Sequence, residues 1–360
     1  MNIILKIGLL CLPFIHFLFM DTPIRASQAV FNIALEISVI LAFFYQFDIK
    51  RKPDLKGAVI LWASIALLTF WSMGSSLFAE KGMPKVVVPF IHLSIFFLFY
   101  FVLSMSLIME EYSKIMKLLI YPAIIASIFC ILEKFGIMQF KFTESWINGV
   151  FGNGTDTAMY IAGCIPFVFY HKRYLIPLIF MILAILITGS ASAIIGAVIA
   201  ILFMFALRGN RILLFGSGAL IILATIIFWS KLPHFLEDNN KVKIWAIALE
   251  SWGKSPFFGW GLDSFKDLNI IHKPTNIHWV FTHNHYIWLL HSTGLIGLIA
   301  FVNFLKPIVS NFIANKEKLL IPGASLLIVA IMSFVSVPMR LYPIVIITAL
   351  NLAILTREIQ

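Results

Sequence analysis

The chain has 360 residues, 61% of them hydrophobic and only 12% charged, with a mean hydropathy of +0.96. Soluble domains carry about 45–50% apolar and about 25% charged residues, so this composition excludes an ordinary soluble enzyme and indicates a polytopic integral membrane protein. The formal net charge of +10 then fits an excess of Lys and Arg in cytoplasmic loops better than it fits nucleic-acid binding.

A spanning helix needs about 20 mostly apolar residues. Segments that meet or approach this rule centre on 3–20, 27–47, 57–73, 86–108, 115–133, 157–170, 174–188, 191–207, 211–229, 284–305, 319–335 and 341–356. The expectation is an all-α fold of about twelve transmembrane helices, forming one membrane domain over residues 1–360. The apolar run after Lys6 meets Asp21 and Arg25 without a small-x-small cleavage site, so it reads as an uncleaved first span. Cys11, Cys130 and Cys164 lie inside apolar runs and read as small hydrophobes, with neither a disulfide framework nor a thiolate metal site. The two segments flanking Gly189 also fit a re-entrant hairpin.

Orientation follows from the loops. With the N-terminus in the cytoplasm, the inside loops hold Lys50, Arg51, Lys52, Lys56, Lys114, Lys117, Lys172, Arg173, Arg208, Arg211, Lys306, Lys316 and Lys318. The short outside loops hold Arg25, Lys81, Lys85, Lys134, Lys141 and Arg340. This asymmetry puts both termini inside and the long loop 230–282, between helices nine and ten, on the periplasmic side.

That loop has its own organisation. Asn239 or Asn240 can cap a short helix over about 241–252, on which Val242, Trp245, Ala246, Leu249 and Trp252 share a face. Gly253 and Pro256 end it. A helix with Trp on one face and Lys at its start suits a membrane interface. Gly259 and Gly261 permit tight turns around Trp260. Thr282 or Asn284 can cap the following span, which places His283 and His285 at its mouth.

Each polar cluster admits two readings. His283 or His285 can act as a general base on a sugar hydroxyl, or sit at the interface as part of a helix cap. Lys241 and Lys243 can hold a diphosphate as point charges, or attract anionic headgroups. Arg340, between two apolar spans, is either functional or snorkelling. Phe151-Gly152-Asn153 opens a span and is either an anion-binding turn or a plain helix cap. Thr188-Gly189-Ser190 is a re-entrant turn or a close-packed helix junction. His272, His278, His283 and His285 are near one another in sequence but lack a zinc-site spacing, so no metal and no cofactor are expected. Few charged groups fall inside the spans, with Glu36 the clear exception, which disfavours a flippase or exporter. A non-catalytic scaffold would not need His283.

Taken in order, these pieces resemble the O-antigen ligase and polymerase superfamily of bacterial inner-membrane proteins. The resemblance rests on Phe151-Gly152-Asn153, Thr188-Gly189-Ser190, Lys241 four residues before Trp245, Pro256-x-x-Gly259-x-Gly261, and His283-Asn284 followed by Gly294-x-x-Gly297. It covers roughly residues 150–300. It implies a GT-C-like membrane glycosyltransferase that is metal-independent and inverting. The implied donor is a glycan on undecaprenyl diphosphate. The implied acceptor is lipid A-core for a ligase, or a second lipid-linked glycan for a polymerase. Membrane lipids are the remaining expected partners, and nucleic acid is not expected. Within that resemblance His283 maps onto the activator of the acceptor hydroxyl and Lys241 onto the loop cation at the diphosphate, with Lys243 and Arg340 as further diphosphate candidates. Asn284, His285, Trp245, Gly259, Gly261 and Asn153 are the supporting residues. Two positions depart from the family pattern: Ala191 stands where many members have Arg, and Lys241 where Arg is usual.

Overall fold

The computed structural model describes residues 109–138, 149–170, 175–209, 241–261 and 282–356, with Phe96, Tyr100, Leu103, Ser104, Ile147, Ser264 and Phe265 beside them. The expected spans at 3–20, 27–47, 57–73 and 211–229, and most of 86–108, lie outside the described residues. So do Glu36, Asn239, Asn240, His272, His278 and many of the orienting cations, among them Lys50, Arg51, Lys172, Arg173 and Arg211.

Among the described residues there are eight α-helices and no strand: α1 Met109–Lys134, α2 Gly154–Val168, α3 Leu175–Thr188, α4 Ala191–Leu207, α5 Lys241–Gly253, α6 His285–Ala314, α7 Leu320–Met332 and α8 Tyr342–Leu355. Short 3-10 turns at Gly149–Phe151 and Pro338–Arg340 precede α2 and α8. Only α1 and α6 are long and apolar enough to cross a membrane, with hydropathies of 2.3 and 1.7. The helices either side of Gly189 have 14 and 17 residues, about 21 and 26 Å at 1.5 Å per residue, which is short of the hydrocarbon thickness.

The outer surface of the bundle is apolar. Ile176 and Ile179 on α3 and Ile299, Val302 and Ile313 on α6 are each more than half exposed. In water such a ridge would be a liability, whereas hydrocarbon is its natural solvent.

Inside, α1, α8, α7 and α2 are pinned in register by a chain of buried hydrogen bonds. Tyr112 donates to Asn351 Oδ1 (2.5 Å), Asn351 Nδ2 donates to Ser325 Oγ (2.9 Å), and Ser325 Oγ donates to the Gly163 carbonyl (2.9 Å). Polar links of this kind join helices where apolar contact alone leaves their sliding unopposed.

The helices alternate in direction, and this decides what lies at each end. At one end Asn311 Nδ2 meets the Leu355 carbonyl (2.6 Å), the Phe203 and Phe312 rings stack at 5.7 Å, and Tyr100 reaches Thr356 (2.9 Å). The opposite end gathers the start of α2, the α3–α4 turn, the start of α6, the end of α7 and the start of α8. There the His285 N–H donates to the Ser333 carbonyl (2.7 Å), and a methyl added at Gly154 would stand 3.7 Å from Thr188 Cβ. Side-chain caps at Asn153 and Asn284 mark this second end, called the capped end below.

Candidate active site

The turn before α6 is built by three consecutive residues. Thr282 Oγ1 donates to the Asn284 carbonyl (2.7 Å), and the Asn284 side chain accepts from the Tyr286 and Ile287 N–H groups, both at 3.0 Å. Asn284 is therefore an N-cap, satisfying two donors that a helix start leaves open. His283 lies between them with φ of 51°, the one non-glycine residue in the left-handed region among those described. Backbone held there costs of order 1–3 kcal/mol and persists where the surroundings impose it. His285 is turned another way: its ring stacks on Trp288 at 5.1 Å, and its buried Nδ1 has no hydrogen-bond partner.

Helix α5 lies against this turn. Trp245 Nε1 donates to the Thr282 carbonyl (2.9 Å), and Ile244, Ala248 and Phe265 form a small core onto which Ile287 packs. The buried face of α5 is Lys241, Ile244, Ala248 and Ser251, while Val242 and Leu249 are 53% and 41% exposed. The face read from the sequence is therefore divided: Val242, Ala246 and Leu249 are exposed, whereas Trp245 and Trp252 are half-buried and hydrogen-bonded to the Thr282 and Pro256 carbonyls. Lys241 and Lys243 part company accordingly. Lys241 is buried at the first turn of α5 and Lys243 is exposed. Burial pushes the Lys241 ammonium down to about 8, since desolvation disfavours its charged form.

Helix α6 is broken where the glycine motifs meet. Gly294 has φ of 64° and ψ of −167°, which interrupts the helical ladder. In an unbroken helix the His291 and Ser292 carbonyls would accept from Leu295 and Ile296. Instead they accept from Trp260 and Gly261 (both 2.9 Å), while Leu295 and Ile296 donate to the Pro256 and Phe257 carbonyls (2.9 and 3.4 Å). Four groups freed by the break are thereby satisfied by the Pro256–Gly261 segment. Left unpaired and buried, each would cost about 1–3 kcal/mol. Glycine is required on both sides of this contact. A methyl on Gly294 would strike the Phe257 carbonyl, and one on Gly259 would come within 2.6 Å of the Gly294 nitrogen.

His291 occupies the same joint and carries no role in the sequence reading. It is 1% exposed, with Nδ1 3.3 Å from Ser264 Oγ, Nε2 3.3 Å from Ser251 Oγ, and the Phe265 ring edge-on at 5.8 Å. The run His291-Ser292-Thr293-Gly294, polar and small in the middle of an apolar stretch, is the signal that could have found it.

The remaining candidates fall at the same end. Asn153 caps α2, its side chain accepting from the Thr155 N–H (2.9 Å). The N-termini of α2, α4, α6 and α8 all open towards the capped end, and so do their positive dipole ends. Arg340 closes the 3-10 turn before α8, and its side chain lies outside the described residues. Among the described residues no three His, Cys, Asp or Glu side chains form a group able to hold a metal.

Residues 176–302 match the family model described as O-antigen ligase. That match, over about a third of the chain, supports the O-antigen ligase and polymerase superfamily. The stretch begins in α3, takes in Lys241, the Pro256–Gly261 segment, His283 and the break at Gly294, and ends within α6. Asn153 and Arg340 lie outside it. Enzymes of this superfamily are glycosyltransferase-like. No curated protein matches the chain.

Proposed function

We propose that the chain is an O-antigen ligase-type glycosyltransferase, moving a glycan from undecaprenyl diphosphate to a sugar hydroxyl of lipid A-core at the periplasmic face of the inner membrane. The observation that carries this reading is the Trp245–Thr282 hydrogen bond, which ties the helix bearing the buried Lys241 to the turn bearing His283.

In this mechanism the His283 imidazole takes the proton of the acceptor hydroxyl as its oxygen attacks the anomeric carbon. The bond from that carbon to the diphosphate breaks on the opposite face, so the configuration inverts and the electron pair leaves with undecaprenyl diphosphate. The Lys241 ammonium stands where that negative charge collects. The convergent helix N-termini add a field of the same sign. No metal is needed in this scheme, because a base for the nucleophile and a cation for the leaving group complete it.

The orientation proposed rests on the loop cations, sorted by the end at which they fall. Among the described residues the half opposite the caps holds Lys114, Lys117, Arg208, Lys306, Lys316 and Lys318, against Lys134 and Arg340 at the capped end together with Lys241, Lys243 and Lys254 of the long loop. With the long loop left out of the count, the basic excess favours the opposite end as cytoplasmic.

The test is His283→Ala in a complemented deletion strain, at matched protein levels. Loss of long-chain polysaccharide from lipopolysaccharide, with lipid-linked polymer accumulating, is the expected result. Loss leaving single repeat units would instead assign the polymerase reaction. Unchanged product would remove His283 as the base.

A further inference from the structure

We propose that His291 is a positioning residue, which fixes α5, and with it Lys241, against the His283 turn. This rests on the reading that Lys241 holds the diphosphate.

The hydrogen-bond inventory sets the state of the ring. Ser264 Oγ already donates its proton to the Gly261 carbonyl (2.7 Å), so towards His291 it can only accept. Nδ1 therefore carries the hydrogen, and Nε2 is left as an acceptor for the Ser251 hydroxyl. One neutral imidazole thus bridges the last turn of α5, the 264–265 turn and the break in α6. Ser251 is tied a second time, its carbonyl accepting from Trp260 Nε1 (2.7 Å).

These contacts give α5 two anchors about 9 Å apart along its axis: Trp245 on Thr282 at one, Ser251 on His291 at the other. Between the anchors the Ile244–Ala248–Phe265 core packs the helix against the protein, and Trp260 holds the Ser251 carbonyl. The His291 link adds the side-chain hold that fixes the far end against α6. Lys241 is not touched by His291, yet its place relative to His283 depends on both anchors holding.

The geometry separates the two ring nitrogens experimentally. An Asn side chain reproduces the Nδ1 position and drops the link to Ser251, whereas Gln reaches the Nε2 position and keeps it. With the full-length protein in nanodiscs and undecaprenyl diphosphate as the probe, His291→Asn and Ser251→Ala should each weaken binding about fivefold, the worth of one hydrogen bond. The double variant should bind no more weakly than either single one, because both remove the same link. His291→Gln should bind within about twofold of the unaltered protein. Melting temperatures measured alongside separate general loosening from lost placement.

If Lys241→Ala weakens binding while His291→Asn and Ser251→Ala do not, the positioning role is overturned. Roughly 25-fold weakening in the double variant would overturn it too, by showing two independent effects. If Lys241→Ala itself leaves binding unchanged, the diphosphate assignment falls and takes the positioning role with it.

Discussion

At the scale of single residues, His283 and Lys241 hold conditions that their side chains do not prefer. The left-handed backbone at His283, φ of 51°, is one that glycine adopts without strain. Replacing His283 with Gly should therefore leave stability unchanged or raise it by up to about 1 kcal/mol, while, on the proposed role of its imidazole as the base, transfer is lost. Thermal melting and a transfer assay on one preparation would check both halves. Lys241 sets a pH dependence. Its folded value near 8 lies below its ordinary 10.5, so the fold releases this proton more readily than the unfolded chain does. Its burial penalty is full below about 8 and fades as the pH rises towards 10.5, so its contribution to stability improves over that window. On the proposed role of Lys241, donor binding runs the other way, because a diphosphate needs the ammonium. Affinity for undecaprenyl diphosphate should fall as the pH rises through about 8, and Lys241→Arg should flatten that fall because guanidinium keeps its charge. Binding isotherms between pH 7 and about 9.5 would show it. His283 and Asn284 were legible in the sequence because they stand as a polar cluster directly before an apolar run. His291 was not, because one histidine six residues inside a span looks like any other buried polar group until its two serine partners, from distant parts of the chain, are in place.

At the scale of elements, the break in α6 governs the site. It divides the helix into 285–293 and the twenty residues 295–314. At 1.5 Å per residue the second piece alone spans about 30 Å, a full hydrocarbon core. The first piece, with α5 and the Pro256–Gly261 segment, forms a layer stacked above it. Periodicity over 242–252 marks a helix, and Lys241–Gly253 is one; which face it buries was less legible, because membrane and protein both accept apolar side chains. The exchange of hydrogen bonds at Gly294 was not legible at all, since a glycine in an apolar run reads as helix packing. Gly294→Ala or Gly259→Ala should cost more than about 2 kcal/mol, through both a clash with backbone and an unfavourable φ. Gly136→Ala isolates the second effect: its φ is also +70° but nothing lies within 4 Å, so it should cost only about 1 kcal/mol. Chemical unfolding in detergent would rank the three.

For the molecule as a whole, the alternating helices carry two unlike ends, joined by the buried chain from Tyr112 to Gly163. Asn351→Leu would strip Tyr112 of that acceptor and should destabilise the bundle by about 1–3 kcal/mol, seen as a lower melting temperature. The motifs at 151–153, 188–190, 256–261 and 283–297 were visible as separate pieces of sequence; only the folded chain shows why they belong at one end. Because Pro256–Gly261 and His291–Ile296 complete each other's hydrogen bonds, neither can drift alone. A loop transplanted from a relative would bring carbonyls and amides spaced for a different break. A functional chimera must therefore carry both segments across together, with the crossover point before Pro256 or beyond Ile296 and never between them.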